Sequence, residues 1–206
     1  MSKKILPSDF FRRRTLLVAR DLLGKHLVRS NERGLLSGRI IEVEAYVGPK
    51  DRASHASRGR TKRTEVMFGP PGIAYVYLIY GMYHCFNVVT EREDYPAAIL
   101  IRAVEVENKS VGVGGASAGP PSTLIDGPGR LCRHFAISLE QNRHDLTLGE
   151  QLWLEDRGEL IASSRIVAAP RIGVDYAGAW AEKLWRFRLF PGKRSETKQR
   201  SVAVDR

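Results

Sequence analysis

GRIIEVEAYV, residues 38–47, alternates apolar and polar side chains from Ile41 onward. A period of two is the pattern of a β-strand whose successive side chains point to opposite faces. The reading predicts a strand over Ser37 to Val47, with Ile41, Val43 and Ala45 on one face and Glu42, Glu44 and Tyr46 on the other. Two carboxylates and a phenol are thereby presented side by side on a rigid element. Upstream, Thr15 can cap a short helix carrying Leu16, Leu17, Ala19, Leu22 and Leu23, which Gly24 ends. A strand over Lys25 to Arg29 and a turn over Asn31 to Gly34 then lead into the deciding stretch.

Downstream, residues 48–72 lack periodicity and read as a long loop. GIAYVYLIYGMYHCFNVVT (72–90) gives two β-rich runs around Tyr80-Gly81-Met82, a protruding hairpin in which Gly81 takes the positive φ of the reversal. A strand over Ala97 to Glu105 follows, then a Gly-, Ser- and Pro-rich flexible loop over 108–129. Pro128 suits the first turn of a helix reaching Ile137, and the Gly127 amide before it is a candidate phosphate contact. Further strands are expected over Leu148 to Leu154 and Ser164 to Val174, with Trp180 to Leu189 returning aromatic residues to the core. The sum is one α+β domain over 1–206, built on a mainly antiparallel sheet with short flanking helices, with a flexible basic tail over 191–206.

Thirty-three Lys and Arg against 23 Asp and Glu leave a net charge of +10, a field that attracts polyanions, nucleic acid first among them. Cys85 and Cys132 form no CxxC pair, so neither a disulfide framework nor a zinc ribbon is indicated, and a reducing cytoplasm fits. The basic start MSKKILPSDFFRRR is not followed by the apolar run of an export signal, and no stretch approaches 18 apolar residues, so membrane insertion is not expected.

Glu42 or Glu44 can polarise water for hydrolysis, although a half-buried strand routinely carries solvated charge on its outer face. Asp51 and His55 could join either carboxylate around a metal ion, as in a metal-dependent nuclease, but no HxxxH or CxxC accompanies them and metal is disfavoured. Tyr75, Tyr77, Tyr80, Tyr83 and Tyr95 crowd one region, where β propensity competes with stacking on unpaired bases as the explanation. Tyr80 is the hardest to assign to packing, because a large aromatic at a turn tip fits a wedge inserted into a duplex. Arg58, Arg60, Lys62, Arg63 and Arg102 could grip phosphates or simply be solvated charges. A non-catalytic protein that only bends DNA remains a second alternative.

The runs IIEVEAYVGPKDRASH (40–55), RTKRTEVMFGPPGIAYVYLIYGMYHCFNVVT (60–90), AAILIRAVE (97–105), GPGRLCRHFAI (127–137) and RIGVDYAGAWAEKLWRFRL (171–189) together resemble the alkyladenine (3-methyladenine) DNA glycosylase family over most of residues 10 to 190. The resemblance implies a monofunctional glycosylase that extrudes alkylated or deaminated purines (3-methyladenine, 7-methylguanine, hypoxanthine, ethenoadenine) from double-stranded DNA and leaves an abasic site. It implies that Glu44 activates the attacking water; that Tyr46, His55 and Tyr77 form the base pocket; and that Asn87 penalises the exocyclic amine of undamaged guanine. Tyr80 matches the intercalating wedge, and Arg60, Thr61, Met82, Tyr83 and Arg102 fall where DNA or base is contacted. No metal or organic cofactor is implied. A monomer in the cytoplasm, associated with the nucleoid in a bacterium, is the expected form. The sequence departs from the family pattern in the spacing between His55 and Met67, at His84, and over Asn108 to Asp126, where a helix-containing segment is expected before GPGR.

Overall fold

The computed structural model describes residues 4–32, 34–107 and 122–190. The expected flexible tail over 191–206, and residues 108–121 of the expected internal loop, lie outside the described residues.

Strands β1 (Lys4–Ile5), β2 (His26–Asn31), β3 (Gly34–Tyr46), β4 (Ala74–Ile79), β5 (Tyr83–Val89), β6 (Ala98–Glu107), β7 (Ser122–Asp126), β8 (Leu152–Asp156), β9 (Ile166–Ala169) and β10 (Arg186–Leu189) form one sheet. The order along it is β1-β8-β2-β3-β6-β5-β4, with β10 joining β3 to β9 and β7 against β6. Every pairing is antiparallel, and with the helices α1 (Ser8–Phe11), α2 (Thr15–Leu22) and α3 (Pro128–His134) this is the expected α+β architecture.

The deciding stretch is the spine. β3 is longer than its alternation indicated and pairs along one edge with β2 and then β10, while β6 lies along the other. The β3–β6 ladder slips between Ile40 and Val43, so that Ile41 and Arg102 have no partner across it. Such a slip re-aims side chains locally. Ile40 and Ile41 both enter the core in consequence.

Helix α2 begins as expected but is capped differently. Thr15 is its first residue, and the Thr15 amide and hydroxyl both donate to the Glu91 carboxylate, at 3.0 and 2.8 Å. A carboxylate 76 positions away thus satisfies the helix start and places negative charge where the helix dipole favours it. Val18, Ala19 and Leu22 of α2, and Leu131, Cys132 and Phe135 at α3, fill the core against the sheet.

Four expectations are corrected, one of them the strand expected from Leu148, which begins only at Leu152. Residues 122–126 form β7 rather than loop. The Gly127 amide donates to the Arg102 carbonyl at 3.0 Å, so it is not free to meet a phosphate. The strand expected over Ser164 to Val174 stops at Ala169, because Pro170 lacks a ladder donor and the chain leaves the sheet there.

Candidate active site

Alternation carries the sheet's two faces to different uses. Val43 and Ala45, Ala74 and Val76, Phe86 and Val88, and Ile99 and Ile101 enter the core. Their neighbours Glu44 and Tyr46, Tyr75 and Tyr77, Cys85 and Asn87, and Leu100 and Arg102 line a cavity of about 380 Å³ on the opposite face. That volume suits a small flat ligand. The 48–72 loop closes one side with Ser54, His55, Arg63 and Met67, and the segment after β9 closes another with Ile172, Gly173, Val174 and Tyr176.

Glu44 is fully buried, unlike the solvated charge that a half-buried strand commonly carries on its outer face. Tyr46 donates its hydroxyl to Glu44 Oε2 at 2.9 Å, the Ile172 amide donates to Oε1 at 2.8 Å, and Arg102 Nη1 stands 3.4 Å from Oε1. Burial raises the Glu44 pKa above the ordinary glutamate value, and Arg102, the Ile172 amide, the Tyr46 hydroxyl and Arg171 oppose that rise. The result is a carboxylate fixed in orientation and more basic than one in water.

Glu42 is buried as well, and it serves as an anchor for cations. Arg102 Nε and Arg186 Nη1 each lie 3.2 Å from its Oε1, and Arg188 Nε lies 3.4 Å from Oε2. Arg102 therefore spans both carboxylates at the ladder slip, inside the cavity wall rather than on an open surface.

The loop bearing His55 is bolted in place. Asp51 and Arg171 are both buried and form a two-pronged pair at 2.5 and 2.9 Å. Asp51 also accepts from the amides of Val47 and Ala53, and Arg171 donates to the carbonyls of Ala45 and Trp180. Asp51 is thus committed to structure instead of being held ready for a metal ion. The Arg171 guanidinium stacks on the Tyr46 ring, 4.9 Å from its centre. Removing one partner of such a pair typically costs about 3–5 kcal/mol, because the other charge stays buried alone.

His55 shares a hydrogen bond of 3.0 Å between Nδ1 and the Tyr75 hydroxyl, and its ring meets Tyr77 edge-on at 4.7 Å. Burial, with Arg63 and Arg58 nearby, lowers the His55 pKa to about 4, so the ring is neutral near pH 7. Burial likewise raises the pKa of Tyr46 and Tyr77, which stay protonated. Asn87 donates from its side-chain amide to the Tyr75 carbonyl at 3.0 Å, which holds it against the cavity. The walls are therefore largely aromatic, and the charged groups among the lining residues are Glu44, Arg63 and Arg102.

The hairpin projects beside this cavity. Both central residues of its turn have left-handed backbone, Tyr80 at φ 53° and Gly81 at φ 69°, and the Met82 amide closes the turn onto the Ile79 carbonyl at 3.2 Å. Tyr80 is 83% exposed and Met82 65%. Tyr83 packs on Gly129 of α3, where a Cβ would come within 3.0 Å of the ring, so the root of the hairpin is braced. Arg60 and Thr61 stand apart from the cavity lining: Arg60 pairs with Asp94 and stacks on Phe68, and the Thr61 hydroxyl is bonded to Thr64 at 3.0 Å.

Sequence reasoning gave the Ile172 amide, Arg171 and Tyr176 no role in the site, considered Asp51 only as a metal ligand, and named Tyr75 only among tyrosines that could stack on bases. A backbone donor has no residue type to announce it. The comparisons with known proteins match these elements throughout. A family model described as methylpurine-DNA glycosylase (MPG) matches residues 9–192. Proteins named "Putative 3-methyladenine DNA glycosylase" align from Methanocella arvoryzae, 51% identical over 188 residues (89% of this chain, 91% of that one), and from Myxococcus xanthus, 50% identical over 182 residues (88% of each chain). One from Wolbachia sp. subsp. Brugia malayi is 45% identical over 190 residues, covering 92% of this chain and all of its own length.

Proposed function

Because the chain belongs to the methylpurine-DNA glycosylase family, and so is an N-glycosyl hydrolase of DNA base excision repair, we propose that its cavity receives a purine extruded from double-stranded DNA. The substrates are alkylated or deaminated purines, 3-methyladenine, 7-methylguanine, hypoxanthine and ethenoadenine among them. The observation that carries the reading is Glu44: a buried carboxylate, fixed by Tyr46 and Ile172, at the end of an aromatic cavity of purine size.

Glu44 accepts a proton from water while the water oxygen bonds to the anomeric carbon, and the N-glycosyl bond breaks with its electron pair leaving on the base. A purine methylated at N3 or N7 leaves as a neutral molecule, and π faces attract such cations before departure. Neutral hypoxanthine needs a proton or hydrogen bond on its ring to leave, and a dry wall strengthens such contacts. The sugar's cationic character is offset by the Glu44 charge. Tyr46, His55 and Tyr77 hold the base, and Asn87 crowds the exocyclic amine of guanine. Tyr80 fills the gap in the duplex, while Met82, Tyr83, Arg60, Thr61 and Arg102 contribute DNA or base contacts. Lys50 and Lys62 are exposed and outside the cavity lining, which supports an abasic product with the strand intact.

Glu44→Gln keeps the shape and removes the base. Single-turnover release of hypoxanthine in EDTA should fall by at least about 10²-fold, with lesion-duplex affinity near wild type. Near-normal release would overturn the assignment, and loss of wild-type release in EDTA would point to metal chemistry instead.

A further inference from the structure

The segment after β9 is held at both of its ends and exposed in its middle. Arg171 is locked to Asp51, the Ile172 amide holds Glu44, and Val174 and Ala177 are buried with Ala53. Between them the side chains of Ile172 and Tyr176 turn outward, 52% and 67% exposed, while both line the cavity mouth. Tyr176 is tethered a second time, its hydroxyl donating to the Ala53 carbonyl at 3.2 Å. An exposed aromatic with backbone pinned and ring tethered has already lost its conformational freedom, so a contact made on it carries little ordering cost. Nothing in the fold requires the ring there: its neighbours Val174 and Ala177 do the packing.

Its location selects the ligand. Glu44 has to face the anomeric carbon for hydrolysis, and Ile172 and Tyr176 belong to the segment that touches Glu44. The apolar lip they form therefore borders the sugar of an extruded nucleotide rather than the base deep in the cavity. We propose that Tyr176, with Ile172 beside it, packs against the deoxyribose of the extruded nucleotide and holds it at the mouth, a positioning contact made only when a nucleotide has left the duplex. This rests on the glycosylase reading above. Tyr80 and Tyr176 then have separate tasks, one in the duplex and one at the cavity.

The test compares two duplexes, one undamaged and one carrying 2′-fluoro-2′-deoxyinosine, whose N-glycosyl bond resists hydrolysis. Tyr176→Ala should raise Kd for the lesion duplex by about 10-fold and leave Kd for the undamaged duplex within about 2-fold. Tyr176→Phe keeps the ring and should follow wild type on both, even if loss of the Ala53 tether lowers Tm slightly. Equal weakening on the two duplexes, no weakening on the lesion duplex, or a Phe variant as weak as the Ala variant would each overturn the proposal. Release of free base by the wild-type protein from an unmodified lesion duplex is measured alongside. Its absence would remove the glycosylase reading while the affinity comparison still decides whether Tyr176 contacts the extruded nucleotide.

Discussion

A carboxyl group without solvent contact holds its proton more tightly than one in water, and Glu44 is in that position. To act as a base it must be ionised. Because its pKa is raised in the folded protein, activity should be lost as pH falls through a value above the ordinary 4.5 of glutamate. His55, lowered to about 4, stays neutral over the same range and adds no limb above pH 5. The pH profile of kcat/KM for 7-methylguanine, a base that needs no protonation to leave, should therefore show one acidic limb above pH 4.5. A flat profile down to pH 4 would contradict the raised value. The alternation of GRIIEVEAYV was enough to bring Glu44 and Tyr46 to one face, and that part of the site was legible. The burial of Glu42 was not, because its three arginines are 60, 144 and 146 positions away and only the closed sheet brings them together.

Elements were legible where a turn and a period coincided, as in the hairpin of β4 and β5. They were misread where apolar residues had other work: Leu148 is 61% exposed and the strand starts only at Leu152, after Gln151 turns left-handed at φ 50°. The 48–72 loop lacks periodicity because its buried residues serve different partners: Asp51 pairs with Arg171, Ala53 packs with Val174 and Ala177, and Ala56, Val66 and Met67 pack with Tyr75. In the hairpin, Gly81 was an expected reversal residue, but Tyr80 also adopts positive φ, which costs a non-glycine side chain roughly 1 kcal/mol or more. A strained and exposed tyrosine gains nothing for the free fold. Tyr80→Asn places a residue tolerant of this backbone at the tip, so Tm should rise by about 2–4 °C while extrusion of a fluorescent base analogue at the lesion declines. A fall in Tm, or unchanged extrusion, would count against strain retained for use on DNA.

Over the whole molecule, the net charge of +10 resolves into cations already paired and cations still available. Arg39, Arg60, Arg102, Arg143 and Arg171 have carboxylate partners. Among the described residues, Arg58, Lys62 and Arg63 have none, and they share the loop that closes the cavity. If those three meet phosphates, affinity for undamaged duplex should fall by about 10²- to 10³-fold per tenfold rise in salt, at about 0.9 counterion per contact. Substituting all three by alanine should flatten that slope, and an unaltered slope would place the phosphate grip elsewhere. The sheet imposes a further condition on how such a protein can change. Over Val43–Tyr46 of β3, Ala74–Tyr77 of β4, Cys85–Val88 of β5 and Ile99–Arg102 of β6, residues of the core alternate with residues of the cavity, so the two share one reading frame there. Gain or loss of a single residue within any of these strands exchanges both sets at once. Descent with modification is thus confined to substitution on the strands, and length variation has to fall in the segments that join them.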